Sequence, residues 1–326
     1  MFPPPPPAPP PATTSAPPRR RHLTAMVAAA VAVAAMAVTS GCGISATAGA
    51  TGGAHRVIEV VAAENFWGSL ASQVGGSHVS VTSLITDPNA DPHSYEPTAS
   101  DGRSVAMAAM VIFNGVGYDG WAPKLLSADP GPRTVLDVGH VLGLKAGANP
   151  HRWYDPGDVR TVIAAMAADY SRIDHADAGS FSAQAAQLDQ VGLAPYVRLV
   201  ARIKGRFAGT PVGASESIFS LLAPALGLNL ITPGSFLKAI SEGSDVSAAD
   251  KSTIDDQITH HRIKLYVYNI QNTTPDVNAQ LAECRRAGIP TATITETLTP
   301  ARSSFQAWQT RQLQGILDAL GRTAGP

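Results

Sequence analysis

The sequence predicts an α/β protein of two lobes, each built on a mainly parallel sheet, joined by a long linking helix. Three observations carry this. From Val57 onward, short apolar runs of strand length alternate with longer segments whose apolar residues recur at helical spacing. The alternation stops over about residues 157–206, which read as helix with brief interruptions. It resumes at Thr210 and continues to the C-terminus. With 326 residues and 44% hydrophobic content, the chain can build two domains with real cores.

In the first lobe, "VIEVVAA" (57–63) reads as a buried strand, and "ENFWGSLASQVGG" (64–76) as an amphipathic helix ended by glycines. "HVSVTSL" (78–84) alternates with period two and is a strand. "SVAMAAMVIFNG" (104–115) gives helix then strand, and "TVLDV" (134–138) another strand. In the linking stretch, Pro195 should kink or break the helix, because it has no N–H to donate. The second lobe opens with the strand "TPVGAS" (210–215) and the helix "ESIFSLLAPALG" (216–227), with Glu216 in its first turn. It continues through "LNLI" (228–231), the helix "SAADKSTIDDQITHH" (247–261) and the strand "IKLYVYNI" (263–270). The helix "PDVNAQLAECRRAG" (275–288), the strand "PTATIT" (290–295) and the helix "SSFQAWQTRQLQGILDALG" (303–321) close the chain. A ligand in such an architecture belongs in the cleft, outside the carboxyl ends of the strands.

The N-terminus speaks of export. A proline-rich tail precedes Arg19–His22, an apolar run from Leu23 to Val38, and then small residues before Cys42. Basic residues, a short apolar segment and small residues describe a secretory signal, and the run is short for a membrane-spanning helix. Thr39-Ser40-Gly41-Cys42 resembles a bacterial lipobox, with threonine where that pattern favours leucine; the resemblance implies lipidation of Cys42. The expected organisation is tail and lipoprotein signal over 1–42, a flexible Gly/Ala/Ser/Thr tether over 43–56, a first lobe over 57–175, a linking helix over 176–208 and a second lobe over 209–326. Cys284, the other cysteine, falls in a helical pattern as a buried or half-buried residue, so no disulfide framework exists. Lysine and arginine number 24 against 25 acids, for a net charge of −1, which argues against a nucleic-acid partner.

Four residues stand where loops should cross the cleft. His93 lies in "ADPHSYEP", stiffened by prolines on both sides, and His151 in "ANPHRWYDP". Glu216 follows one strand, and Glu296 ends another. Each has a bland reading alone: a loop histidine is rarely a ligand, and a strand-end or first-turn glutamate is commonly solvated. Together they change the balance, because the chain has only seven glutamates and two take equivalent positions. Two imidazoles and two carboxylates suit a divalent transition ion such as Mn²⁺, Zn²⁺ or Fe²⁺. His260 and His261 read as partners of a helix C-terminus, and His78 and His140 as surface residues. Asn65, Trp67, Trp153 and Tyr154 could shape the cleft, the aromatics serving equally as core. Asp91, Glu96 and Asp155 could orient an imidazole through its second nitrogen.

The stretches "ENFWGSLASQVGGSHVSVTSLITDPNADPHSYEPTASD", "ANPHRWYDP" and "GASESIFSLLAPALGL" resemble the zinc/manganese-type solute-binding lipoproteins of bacterial metal ABC importers, from about Val57 to the C-terminus. The resemblance implies one metal held between the lobes by four side chains. His93 and His151 match the family's two histidines, Glu216 its third position, and Glu296 a fourth that is usually aspartate. It also implies a monomeric receptor tethered by a lipid to the outer face of the cytoplasmic membrane, not an enzyme, that serves an ABC permease and its ATPase. The histidine-rich loop common in zinc receptors is absent. Oxygen donors favour Mn²⁺, while the Irving–Williams order still lets Zn²⁺ bind tightly, so the ion stays open. The alternatives from other classes are a surface metallohydrolase with an open position for water and an adhesin. No HExxH or nucleophile-elbow pattern supports the first.

Overall fold

The computed structural model describes residues 57–90 and 92–322. The expectations for residues 1–56, Cys42 included, and for Asp91 therefore lie outside the described residues. The first lobe runs β1 (Ile58–Glu64), α1 (Asn65–Gly75), β2 (Val79–Ile85), α2 (Ala99–Met107), β3 (Met110–Phe113), α3 (Trp121–Ala128), β4 (Thr134–Asp137) and the single turn α4 (Val138–Val141). Its strands are all parallel in the order β2-β1-β3-β4. Three helices follow: α5 (Pro156–Ile173), α6 (Ala178–Gln187) and α7 (Ala194–Phe207). The second lobe runs β5 (Pro211–Ala214), α8 (Phe219–Ala225), β6 (Asn229–Leu230), α9 (Gly234–Ser241), α10 (Ala248–Thr259), β7 (Tyr266–Asn269), α11 (Pro275–Ala287), β8 (Thr291–Ile294) and α12 (Phe305–Gly321). Its strands are also all parallel, ordered β6-β5-β7-β8.

The connection between lobes begins after α5, where Asp174 ends one helix and Asp177 precedes the next. From there helical backbone continues through α6, a π-helical turn at Leu188–Gly192, and α7. Pro195 sits in the first turn of α7 rather than within a helix. The widened turn, where Leu193 N–H reaches Leu188 O at 2.8 Å, ends three residues earlier, and in a first turn the proline's missing N–H costs no helical bond. Among the described residues no helix is long and apolar enough to cross a membrane.

Three helices have no counterpart in the sequence reading: α3, the single turn α4, and α9. The helix expected over 216–227 is shorter: α8 starts at Phe219 and Glu216 lies in a bend. The reason is local. Ser215 Oγ accepts Asn269 N–H at 3.1 Å, and Ser217 N–H is held by Leu237 O at 3.2 Å and Ser241 Oγ at 3.0 Å. These tertiary bonds satisfy groups that a first helical turn would leave open.

Both sheets pack into one continuous core that includes Trp67, Trp153 and Tyr154, each fully buried. Phe66 stacks on Trp153 with centroids 4.0 Å apart. Polar bonds between α1 and the segment after β8 tie the lobes: Asn65 Oδ1 accepts Leu298 N–H at 3.1 Å, and Ser69 Oγ accepts Phe305 N–H at 3.0 Å. Cys284 is buried in α11. His140 is exposed, but His78 is half-buried, facing Asp177 Oδ2 at 2.8 Å and the edge of Phe181. His260 and His261 close α10, with His261 Nε2 2.9 Å from Ala287 O.

Candidate metal centre

Each sheet reverses its strand order between the first and third strands of its lobe, and the candidate ligands gather beyond those two points. His93 rides on the loop from β2 to α2, which is fastened along its length. A capping box between Thr98 and Asp101 ends it, with Asp101 Oδ2 accepting Thr98 N–H at 2.7 Å and Tyr95 O–H at 2.9 Å. Trp121 Nε1 donates to Pro92 O at 3.2 Å, one residue before the histidine. Gln271, from the second lobe, donates to Pro88 O. His93 is exposed toward the mouth of the cleft and packs its ring on Tyr118 at 4.6 Å.

His151 is set more deeply. Asn149 Oδ1 accepts the His151 N–H at 3.0 Å, an Asx turn, and also faces its Nδ1 at 2.8 Å. Pro150 O accepts Asn114 Nδ2 at 2.9 Å, and Asn114 Oδ1 accepts Trp67 Nε1 at 3.1 Å. Burial, reinforced by the charge of His93, pushes the His151 imidazole pKa down to about 3. The ring is therefore neutral at ordinary pH. Its Nε2 is buried and meets no hydrogen-bond partner among the described residues, a costly arrangement unless something else accepts that lone pair.

Glu296 follows β8, its N–H held by Gln271 Oε1 at 2.6 Å. Its Oε2 accepts Tyr118 O–H at 2.9 Å and its Oε1 accepts Asn269 Nδ2 at 3.0 Å. Burial and the neighbouring Glu296 charge raise the Tyr118 pKa well above its usual value, so Tyr118 stays a donor.

His93, His151 and Glu296 each offer a ligand atom, and the three atoms lie within 4.8 Å of one another. Tetrahedral ligands on bonds of about 2.1 Å stand about 3.4 Å apart, so these side chains must draw together by up to about 1.4 Å to share one ion. The donor set and the orphaned His151 Nε2 fit a divalent transition ion.

Glu216 lies outside this set of three. It is buried, with Oε1 accepting Asn269 Nδ2 at 2.6 Å and Oε2 accepting Asn272 Nδ2 at 2.8 Å. One amide nitrogen thus bridges Glu216 and Glu296.

The partners that orient these ligands differ from those expected. Asp155 caps α5, accepting Gly157 N–H at 2.7 Å, and Asn149 takes the place at the His151 ring. Glu96 is exposed on the His93 loop. Tyr118, Asn149, Asn269, Gln271 and Asn272 were not singled out in the sequence. For Asn149 a signal existed, since Asn-Pro-His is an Asx-turn pattern. For "YNIQN" (268–272), polar amides at the end of an apolar strand were the clue.

Compared with known proteins, residues 60–319 match the family ZnuA, described as zinc-uptake complex component A, periplasmic. The manganese-binding lipoprotein MntA of Bacillus subtilis (strain 168) is 25% identical over 273 residues, covering 80% of this chain and 85% of that protein. The iron-binding protein YfeA of Yersinia pestis is 28% identical over 170 residues, 48% of this chain and 53% of that protein. The manganese-binding lipoprotein MntA of Halalkalibacterium halodurans is 27% identical over 136 residues, and the match spans 44% of that protein's length. Among solved structures, a manganese-bound periplasmic metal-binding protein from Candidatus Liberibacter asiaticus aligns with a TM-score of 0.68 at 18% identity, over 81% of this chain and 99% of that one. The laminin-binding adhesin Lmb of Streptococcus agalactiae aligns with a TM-score of 0.67 at 19% identity, over the same shares of both chains. These structural likenesses carry the fold alone.

Proposed function

The chain belongs to the ZnuA family of periplasmic metal-uptake components, and from that premise we propose that it is an extracytoplasmic receptor that captures a divalent transition metal, Zn²⁺ or Mn²⁺, for an ABC importer. The observation that carries the reading is the convergence of His93, His151 and Glu296 within 4.8 Å around a buried, unpartnered imidazole nitrogen. In this reading the ion is cargo. His151 Nε2, His93 and a Glu296 oxygen replace its bound water, and Glu216 is the fourth ligand, its Oε2 released from Asn272 as the ion enters. Affinity falls with acidity, because a protonated imidazole has no lone pair to give.

The mature protein is a monomer held to the membrane through a lipid on Cys42, and it hands its ion to a permease driven by an ATPase. It performs no catalysis, since the protein ligands leave no position for a water beside a free base. The relatives named for manganese and iron support a transition ion without choosing among them. The experiment is thermal unfolding with and without each ion. Ligand at 100 times its Kd adds about 2.7 kcal/mol of stability, so Zn²⁺ or Mn²⁺ should raise the Tm by several degrees. No rise with Zn²⁺, Mn²⁺ or Fe²⁺ overturns the reading.

A further inference from the structure

The geometry points to Asn269 as the positioning residue that decides how many oxygen donors the site gives an ion, and hence which ion it prefers. The inference rests on the receptor reading above. Asn269 ends β7 beside β5 and is fully buried. The orientation of its amide is set from both ends. Its Oδ1 accepts Gln271 N–H at 2.9 Å, and its own N–H is bound to Ser215 Oγ at 3.1 Å. The NH₂ group must therefore face the carboxylates. It donates to Glu216 Oε1 at 2.6 Å and to Glu296 Oε1 at 3.0 Å.

Both glutamates touch the same nitrogen, yet Glu296 belongs to the set with the two imidazoles and Glu216 does not. Their other oxygens separate them. Glu296 Oε2 is held by Tyr118, a residue of the first lobe whose ring also packs on His93, so this carboxylate is drawn toward the imidazoles. Glu216 Oε2 is held by Asn272, whose Nδ2 also donates to Ile240 O at 3.2 Å, so this carboxylate is held back in the second lobe. For Glu216 to give the ion both oxygens, its Oε1 must leave Asn269.

Zn²⁺ is satisfied by four donors, and His93, His151, Glu296 and one Glu216 oxygen, the Oε2 drawn from Asn272, supply them with the Asn269 bond intact. Mn²⁺ favours a larger, oxygen-rich shell and must draw Glu216 off the amide. The cost of breaking the hydrogen bond from Asn269 to Glu216 falls on the second ion alone. Asn269 thereby biases the site toward the ion with fewer ligands.

The test is Asn269→Ala, read by competition titration of Mn²⁺ against Zn²⁺ and by X-ray absorption at the zinc edge. Loss of one hydrogen bond to a charged group corresponds to about a tenfold change in an equilibrium constant. The variant should therefore shift the Mn²⁺/Zn²⁺ preference about tenfold toward Mn²⁺, and bound Zn²⁺ should gain one oxygen neighbour. Should Asn269→Ala fail to fold, Asn269→Ser, too short to bridge both carboxylates, replaces it. An unchanged preference with an unchanged zinc shell overturns the inference, as does an equal loss of both ions, which marks a mere structural prop. Failure of the unaltered protein to bind either ion is a different result, and it removes the receptor reading itself.

Discussion

The two lobes share one strand order and place opposite chemistry where that order reverses. In the first lobe the acid at the end of β1 is Glu64, with 0% exposure and a carboxyl that faces Asp119. Burial, then the charge of Asp119, raises its pKa well above the usual carboxylate range. Asp119 itself is anchored by the N–H groups of Asn114 and Gly115 at 2.6 and 2.8 Å. Glu64 therefore keeps its proton and acts as a neutral prop. In the second lobe the acid just past β5 is Glu216, met by two side-chain amides. Position and burial are nearly the same; the donors around the carboxylate differ. An acid given N–H donors stays available as a ligand, whereas one buried against a second carboxylate is retired from coordination. The first lobe must then supply its ligands from loops, and it does so with imidazoles.

The contrast makes predictions of graded size. Removing the buried nitrogen with His151→Ala should weaken Zn²⁺ binding by more than about 100-fold, beyond the 10–100-fold range of residues that merely orient ligands. Glu64→Gln should leave it nearly unchanged, and an equal loss in both variants would erase the distinction between the lobes. Tyr118→Phe and Asn149→Ala each remove an orienting contact, to Glu296 and to His151 respectively. Each should weaken binding about tenfold in competition titration.

Smaller effects appear in the pH dependence of the ion-free protein. His151 titrates near 3 when folded and near 6.5 in the reference state, so only the unfolded chain binds that proton between these values. Its contribution to stability is therefore complete above pH 6.5 and is lost as pH falls toward 3, by at most about 1.4 kcal/mol per pH unit. Urea unfolding across this range, with His151→Phe as the comparison, isolates the slope. Glu64 has the opposite sign. Its folded pKa is raised, so its contribution is present at low pH and fades as pH climbs through that raised value. Glu64→Gln should match the unaltered protein in acid and exceed it increasingly in alkaline solution. A Tm difference that does not grow with pH would mean that Glu64 is ionised.

Much of this was legible in the sequence because period-two and helical patterns differ over whole segments. The eight strands lie within or overlap the apolar runs, and the two Pro-His loops do meet. What escaped notice was set by long-range bonds. Glu216 reads as a first-turn residue because "SESIF" resembles a helix start, but Ser215 and Ser217 bond to β7 and α9 instead. The short helix α9, whose Ile240 and Ser241 line the cavity of about 370 Å³ beside His93, follows a proline, begins with a glycine and offers little pattern of its own. Asp155 looked like a ligand's partner because it sits four residues from His151, yet Asn149, two residues away, has the geometry of an Asx turn. Which amide would face which carboxylate could not be read from residues 27 or 53 positions apart in sequence.

The most direct test of the central claim, that nitrogen donors from one lobe and an oxygen donor from the other close on a single ion, is a crystal of the protein grown with Zn²⁺ and measured at the zinc absorption edge. One anomalous peak is expected, about 2.0–2.2 Å from a nitrogen of His93, Nε2 of His151 and an oxygen of Glu296. A peak that touches residues of one lobe only, or one that leaves His151 Nε2 unpartnered, would contradict it.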